Sequence, residues 1–317
     1  MAEGGKRKRV GLALGGGGSR GFAHIGVLKV LEEELIPVHI VAGTSIGAVV
    51  GGAYASGIEP SELVRKVDEI LRSPLVQSSV FKTVNNLPEN KQPGLADKIA
   101  LFFKSQWLFA QALFNPGMMS GEDFQAVIDH FIPDIKIEET KIPFRAVAAD
   151  LVSGKEMVLS SGSLRRAVAA SCAVPGFMPP VKEGNLLLVD GGIVNMVPCS
   201  VARQGGAEVI IGVDVDRDIG ANQEFQNAID VYTRAAEIGS FHLSALRLKE
   251  ADLIIRPRVG EMKWFDLSRA SEVISEGERC TRESLERIRK FIPAPEKKMF
   301  FGTLRELFGK ILRGRSR

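Results

Sequence analysis

The sequence predicts an α/β protein of three layers, a mostly parallel central sheet with helices on both faces. Three observations point there. Short apolar runs recur at Val10–Leu14, Val38–Ala42, Phe144–Ala149, Leu186–Val189, Val209–Val213 and Leu253–Ile255, and stretches of helical period separate most of them. Apart from His39 and Arg145 these runs are apolar rather than alternating, as in strands buried on both faces. The first two each pass through a glycine-bearing turn straight into a helical pattern, the strand–turn–helix step from which parallel sheets are built.

In chain order, Val10–Leu14 is the first strand. Gly15 to Gly18, Ser19, Arg20 and Gly21 follow, then a helix from about Phe22 to Leu35 with Ile25, Leu28, Val30 and Leu31 on its apolar face. The second strand, with His39 inside it, runs into Gly43-Thr44-Ser45-Ile46-Gly47 and a helix to Ser56. Gly57 and Pro60 stop that helix, and Pro60 starts another through Leu71. Residues 74–94 hold Pro74, Pro88 and Pro93 and read as a long loop. Residues 95–114 are rich in large apolar groups, among them Phe102, Phe103, Trp107 and Phe109. They suit ordinary core, or a cover or acyl-chain wall over Ser45. A helix at about 120–131 precedes the Phe144–Ala149 strand, whose partner is Met157-Val158-Leu159. A short helix spans Leu164–Ala170. Helices near 224–249 and 268–290 flank the last strand. No internal linker is marked, so residues 10–290 read as one domain between a basic tail at 1–9 and a second basic tail at 291–317.

Composition narrows the function classes. At 317 residues the chain can bury a large core, and 45% hydrophobic against 25% charged residues is the balance of a soluble globular protein. Three cysteines, Cys172, Cys199 and Cys280, at no C-x-x-C spacing make neither a disulfide framework nor a zinc site, so no metal is expected. The N-terminus has no apolar core of signal-peptide length, and no uncharged apolar run reaches the ~18 residues of a membrane span. The expected location is cytoplasmic, or peripheral on the inner membrane face. Residues 297–317 carry a net +6 and the first ten residues +3, leaving the body at −6 of the overall +3. An acidic body with basic ends is not a nucleic-acid groove. In the tail, Phe300, Phe301, Leu304, Leu307, Phe308, Ile311 and Leu312 recur at helical spacing between cations. That pattern suits an anionic membrane surface, or docking on the protein's own domain or on a second subunit.

The chemistry lies in three segments. Gly43–Gly47 has the G-x-S-x-G form of a nucleophile elbow, in which a strained turn presents the Ser45 hydroxyl outward and Gly43 and Gly47 let the turn close. Gly16, Gly18 and Gly21 satisfy G-x-G-x-x-G between strand and helix. This could be a dinucleotide loop, although the next strand ends in Gly43-Thr44-Ser45 and not in an acidic residue. It could be a close-packing turn, or an oxyanion hole of backbone N–H groups from Gly16, Gly17 and Gly18. A serine needs a base. Asp190 ends an apolar strand and is followed by Gly191 and Gly192, which let the backbone approach another element; a carboxylate removed from water there gains basicity. His242 would complete a Ser45–Asp190–His242 triad in hydrolase chain order, although it lies in a helical pattern. His39 and His130 read as structural, and His24 as a brace for the glycine loop.

Together these residues resemble the patatin-like phospholipase family. Gly16-Gly17-Gly18-Ser19-Arg20-Gly21 resembles its oxyanion-hole motif and Gly43–Gly47 its elbow. Ser171-Cys172-Ala173-Val174-Pro175, with Phe177 and Pro179 behind, resembles its serine–proline segment, and Asp190-Gly191-Gly192 its aspartate motif. Order and spacing agree across about residues 10–215. The resemblance implies a patatin-like α/β/α catalytic domain with a Ser–Asp dyad. Ser45 would attack a fatty acyl ester and Asp190 would take its proton, the amides of Gly16, Gly17 and Gly18 would hold the oxyanion, and Arg20 would anchor either the glycine loop or an acidic headgroup. It implies no cofactor and a lipid or acyl-ester substrate. An acyltransferase using the same dyad, or a low-turnover binding or regulatory protein on the same fold, would carry the same motifs. Oligomeric state, chain length and headgroup are not legible.

Overall fold

The computed structural model describes residues 8–74, 120–216, 219–220, 225, 228–259, 262 and 266–293. The expected loop at 74–94, the apolar segment at 95–114 and the amphipathic tail at 297–317 fall outside these, apart from Pro74.

The described chain runs β1 (Val10–Leu14), α1 (Ala23–Glu33), β2 (Ile40–Thr44), α2 (Ile46–Ser56), α3 (Pro60–Arg72), α4 (Gly121–Phe131), β3 (Phe144–Asp150), β4 (Glu156–Leu159), α5 (Leu164–Cys172), β5 (Val181–Glu183), β6 (Leu186–Asp190), α6 (Cys199–Gln204), β7 (Val209–Val213), α7 (Ala228–Arg247), β8 (Leu253–Ile255) and α8 (Ala270–Phe291). The eight strands form one sheet whose paired neighbours run β5-β6-β3-β2-β1-β7-β8, with β4 also on β3. The pairs β3–β2, β2–β1, β1–β7 and β7–β8 are parallel, and the pairings of β4, β5 and β6 are antiparallel. The three-layer, mostly parallel architecture expected from the sequence is what the chain adopts.

Alternation along the central strands divides the core. Val10, Leu12 and Leu14 point into a large cluster with residues of α1, α2, α3, α4, α5 and α8, including Leu28, Val49, Leu63, Ile128, Val168 and Val273. Ala13 points the other way, into a smaller cluster with Ile40, Ala42, Cys199, Val201, Ile210 and Leu248. Both faces are therefore covered, which is why these strands carry no polar alternation. Two elements, β5 and α6, were not visible in the sequence. The first is three residues with two charges, and the second is six residues opening on Cys199 after Pro198. Neither is long enough for its period to show. The second strand starts at Ile40, not Val38. His39 lies just before it, and its Nδ1 accepts the Val10 N–H at 2.9 Å. That bond serves the first amide of β1.

One register sets up everything that follows. Val147 of β3 is flanked by Thr44 and Val158, and Ala148 by Met157 and Asp190. β4 thus holds one edge of β3 from Ala146 to Ala149, while the other edge passes from β2 to β6. These two strands run in opposite directions and meet end to end. The last residue of β2 and the last residue of β6 face consecutive positions of β3, one residue rise apart, about 3.3 Å.

Candidate active site

Ser45 follows Thr44 at that meeting point. Its backbone sits at φ 55°, ψ −127°, a region that residues with a Cβ seldom occupy. The strain is imposed by a turn that must double back from β2 into α2 with almost no space. A Cβ on Gly43 would lie 2.4 Å from the Gly47 carbonyl oxygen, and one on Gly47 would lie 2.1 Å from the Leu14 carbonyl oxygen. The elbow is held from three sides. Thr44 Oγ1 donates to the Asn195 carbonyl at 2.9 Å, and the carbonyl of Ser45 accepts from Ala48 and Val49. The Ser45 N–H donates to Ser171 Oγ at 2.9 Å, and that hydroxyl donates in turn to the Val147 carbonyl at 2.6 Å.

Asp190 is 6% exposed. Its N–H donates to the Ala173 carbonyl, and its Oδ1 accepts the Gly192 N–H at 2.7 Å. The following turn presses on β3, for a Cβ on Gly191 would lie 2.3 Å from the Val147 carbonyl oxygen. Burial pushes the Asp190 carboxyl up to about 6; a hydrogen bond from the Ser45 hydroxyl and the Gly192 N–H pull it part of the way back. The Ser45 hydroxyl is thus near enough to the Asp190 carboxyl to pull its pKa down, and burial still leaves that carboxyl above its ordinary range.

The glycine turn faces the same point. A Cβ on Gly16 would lie 3.3 Å from the Ser45 Cβ. The Gly16 N–H, however, donates to the Met196 carbonyl at 3.0 Å, and the Gly15 N–H to the Val213 carbonyl at 3.0 Å. The expectation that the amides of Gly16, Gly17 and Gly18 all serve an oxyanion is corrected at Gly16, whose donor is spent on the backbone after β6. Gly17 and Gly18 open a 3-10 turn over Gly18–Phe22. The first residues of a helical turn have no intrahelical acceptor for their N–H groups.

A family model described as patatin-like phospholipase matches residues 12–203. The chain belongs to that family. The human patatin-like phospholipase domain-containing protein 6 is 31% identical over 279 residues, which covers 86% of this chain and 18% of that protein. The lysophospholipase nte1 of Emericella nidulans is 35% identical over 210 residues, 66% of this chain and 12% of its own length. The chain thus spans less than a fifth of the curated relatives it matches. Among solved structures, VipD from Legionella pneumophila aligns at TM-score 0.46 and 13% identity over 89% of this chain and 67% of that one. Full-length ExoU, in complex with SpcU from Pseudomonas aeruginosa, aligns at 0.44 and 13% over 91% and 54%.

In this patatin-like domain Gly16, Gly17, Gly18, Arg20, Ser45, Asp190 and Gly192 line one cavity of about 760 Å³. Gly43, Gly47 and Gly191 stand behind it, where the backbone is tight. Arg20 is buried, donates from Nε to the Gly17 carbonyl at 3.2 Å and pairs with Asp216 at 3.2 Å. Both contacts tie Arg20 to the glycine loop and to the chain just past β7, while its side chain also lines the cavity. His24 is fully buried, its Nε2 bonded to the Gly15 carbonyl at 2.8 Å, and burial pushes its pKa down to about 4 against that hydrogen bond. It braces the glycine turn as expected. His130 binds the Lys66 carbonyl at 2.8 Å. His242 is exposed on α7 and is not part of the cavity wall, whereas its neighbours Phe241 and Leu243 are. The Ser45–Asp190–His242 triad is not assembled. The three cysteines are free thiols.

Two contributors carried no assigned role in the sequence. Ser171 was visible only as part of a motif, because its link to Ser45 spans 126 residues. Asp216 stands just past β7, at the edge of the parallel strands where their C-terminal ends gather. That position was the available signal. The far wall of the cavity, Thr233, Ala236, Ser240, Phe241 and Leu243 of α7, was read only as a helix. Among the described residues no cluster of histidine, cysteine and carboxylate groups is placed to hold a metal, and no helix is long and apolar enough to cross a membrane.

Proposed function

We propose that this chain is a serine acyl hydrolase that cleaves fatty acyl esters of lipids through a Ser45–Asp190 dyad. The observation that carries the proposal is that a strained serine and a buried carboxylate, whose pKa is raised to about 6, line one cavity side by side. Asp190 accepts the Ser45 proton as Oγ attacks the ester carbonyl carbon. The carbonyl electron pair moves onto oxygen, and the Gly17 and Gly18 N–H groups, together with the N-terminal end of α2, stabilise that charge. Collapse expels the alcohol, which leaves with the proton from Asp190. Water then gives a proton to Asp190 and attacks the acyl-enzyme. The second collapse releases the fatty acid, and Ser45 recovers its proton.

The lipid class follows from family membership, from relatives named phospholipase and lysophospholipase, and from a cavity whose wall includes Val174, Pro175, Ile193, Met196, Phe241, Leu243 and Met262. Contact of residues 297–317 with an anionic membrane remains part of this proposal on sequence grounds alone.

The test is a fluorophosphonate carrying an alkyl chain. Intact mass should rise by one phosphonyl group in the wild-type chain and not in Ser45→Ala. Labelling that persists in Ser45→Ala, or no labelling of the wild type, would overturn the assignment.

A further inference from the structure

Strands that share one edge of β3 end to end cannot pair with each other, so the ladder leaves the joint between β2 and β6 open. Ser45 and Asp190 stand on either side of that joint. Asn195 closes it. Its N–H donates to the Gly191 carbonyl at 2.8 Å, one residue past β6, and its carbonyl accepts the Thr44 hydroxyl at 2.9 Å, from the last residue of β2. The next carbonyl, that of Met196, takes the Gly16 N–H at 3.0 Å. Two consecutive residues thus hold the aspartate turn, the elbow and the glycine turn together.

The grip comes from the face of the sheet opposite to Ser171. Thr44 shares its side of β2 with Ile40 and Ala42, which pack with Val197 and Cys199 in the smaller cluster. Ser171 reaches the same joint from α5, whose Ala167 and Val168 belong to the larger one. The side chain of Asn195 fixes where its backbone sits. It is fully buried, and Nδ2 donates to Glu156 Oε1 on β4 at 2.8 Å and to Ser200 Oγ on α6 at 3.4 Å. The other Glu156 oxygen pairs at 3.0 Å with Arg247, in the last turn of α7. An ionised carboxylate only accepts hydrogen bonds, so Glu156 dictates which end of the Asn195 carboxamide faces it. Gly192, Ile193 and Met196 line the cavity, whereas Asn195 lies behind it. Any effect of Asn195 on the reaction must therefore pass through the residues it holds.

We infer that Asn195 is a positioning residue for the dyad, setting the placement of Ser45 against Asp190, and that Glu156 holds Asn195 in that position. The inference rests on the Ser45–Asp190 hydrolase reading. Proton transfer from the serine to the carboxylate requires hydrogen-bond reach, and a displacement of about an ångström can cost about a hundredfold in rate. Substrate binding in the cavity does not depend on that separation. The role should therefore register in kcat and leave KM alone.

The experiment uses the full-length chain with two readouts. One is kcat and KM on a water-soluble short-chain ester, and the other is the rate and endpoint of labelling by an alkyl fluorophosphonate. Thr44→Val keeps the shape and loses the donor to Asn195; Glu156→Leu loses the acceptor for its Nδ2. Each should lower kcat by about 10- to 100-fold with KM within about twofold. Labelling should slow to the same degree and still end at one phosphonyl group per chain. Thr44→Ser and Glu156→Gln restore a hydroxyl donor and an acceptor oxygen, and should stay within about threefold of wild type. Asn195→Ala should behave as Glu156→Leu does; if it does not fold, the Thr44 and Glu156 pairs decide.

A merely structural role would lower the urea midpoint and the labelling endpoint while the folded chains reacted at the wild-type rate, and that result overturns the inference. So does a rise in KM at unchanged kcat, or Thr44→Ser and Glu156→Gln variants as slow as Thr44→Val and Glu156→Leu. A wild type that neither turns over the ester nor takes the label sinks the hydrolase reading, and this inference with it. An active wild type matched by a folded Thr44→Val variant sinks this inference alone.

Discussion

The Ser171 hydroxyl accepts the N–H of Ser45 at 2.9 Å and is itself anchored on the Val147 carbonyl at 2.6 Å. A fully buried side chain on α5 therefore fixes the backbone of the proposed nucleophile against the strand that also pairs with Asp190. Ser171→Ala leaves one donor and one acceptor without a partner. Expected are a stability loss of about 1–3 kcal/mol, seen in urea unfolding, and phosphonate labelling slowed by about 10- to 100-fold. A loss of stability with labelling at the wild-type rate would restrict Ser171 to holding the fold.

The strain at Ser45 can be separated from its chemistry. Both Ser45→Ala and Ser45→Gly remove the hydroxyl, but only glycine tolerates φ 55°, ψ −127° without a Cβ clash. Both should be inactive, and the glycine variant should be the more stable by about 1–2 kcal/mol. Equal melting temperatures would refute the idea that strain is stored at the elbow.

Two buried groups give stability opposite pH slopes. Asp190 titrates at about 6 in the fold and at 3.8 when free, so between these values the native state holds a proton that the unfolded chain releases. Its contribution is full below 3.8 and is lost as pH rises through 6, about 3 kcal/mol in all. His24 titrates at about 4 in the fold and at 6.5 when free, so its contribution is full above 6.5 and is lost as pH falls toward 4, by a similar amount. The slopes oppose each other across pH 4–6. Asp190→Asn should remove one of them and leave stability rising with pH over that window, while also raising stability at pH 7–8. Denaturant midpoints at several pH values check the sign.

Activity should report the same carboxylate. If Asp190 is the base, kcat/KM on a soluble ester rises with pH through about 6 and levels off above it. Asp190→Asn should lower kcat by about 10²–10⁴-fold, while His242→Ala, an exposed position, stays within about twofold. A severe loss in a folded His242→Ala variant would return the base to histidine.

Arg20 holds the glycine turn through the Gly17 carbonyl and Asp216. Arg20→Gln should lower kcat by about tenfold or more with little change in KM, because the Gly17 and Gly18 amides would lose their alignment. An effect on KM confined to anionic lipids would make Arg20 a headgroup contact instead.

Local pattern carried much of this protein. The strand cores Val209–Val213 and Leu253–Ile255 are read to the residue, since buried parallel strands are uninterrupted apolar runs. The elbow at Ser45 and the Asp190 turn are short-range features whose glycines are dictated by contacts within a few ångströms. Tertiary structure alone decided three things. The antiparallel β6 placed Asp190 beside Thr44, since strand direction is not encoded in a five-residue apolar run. Ser171 was brought from 126 residues away onto the Ser45 amide. The Gly16 amide was withdrawn from the site by the Met196 carbonyl, because a backbone donor is committed by whichever acceptor packing brings within reach, and no side chain announces that choice.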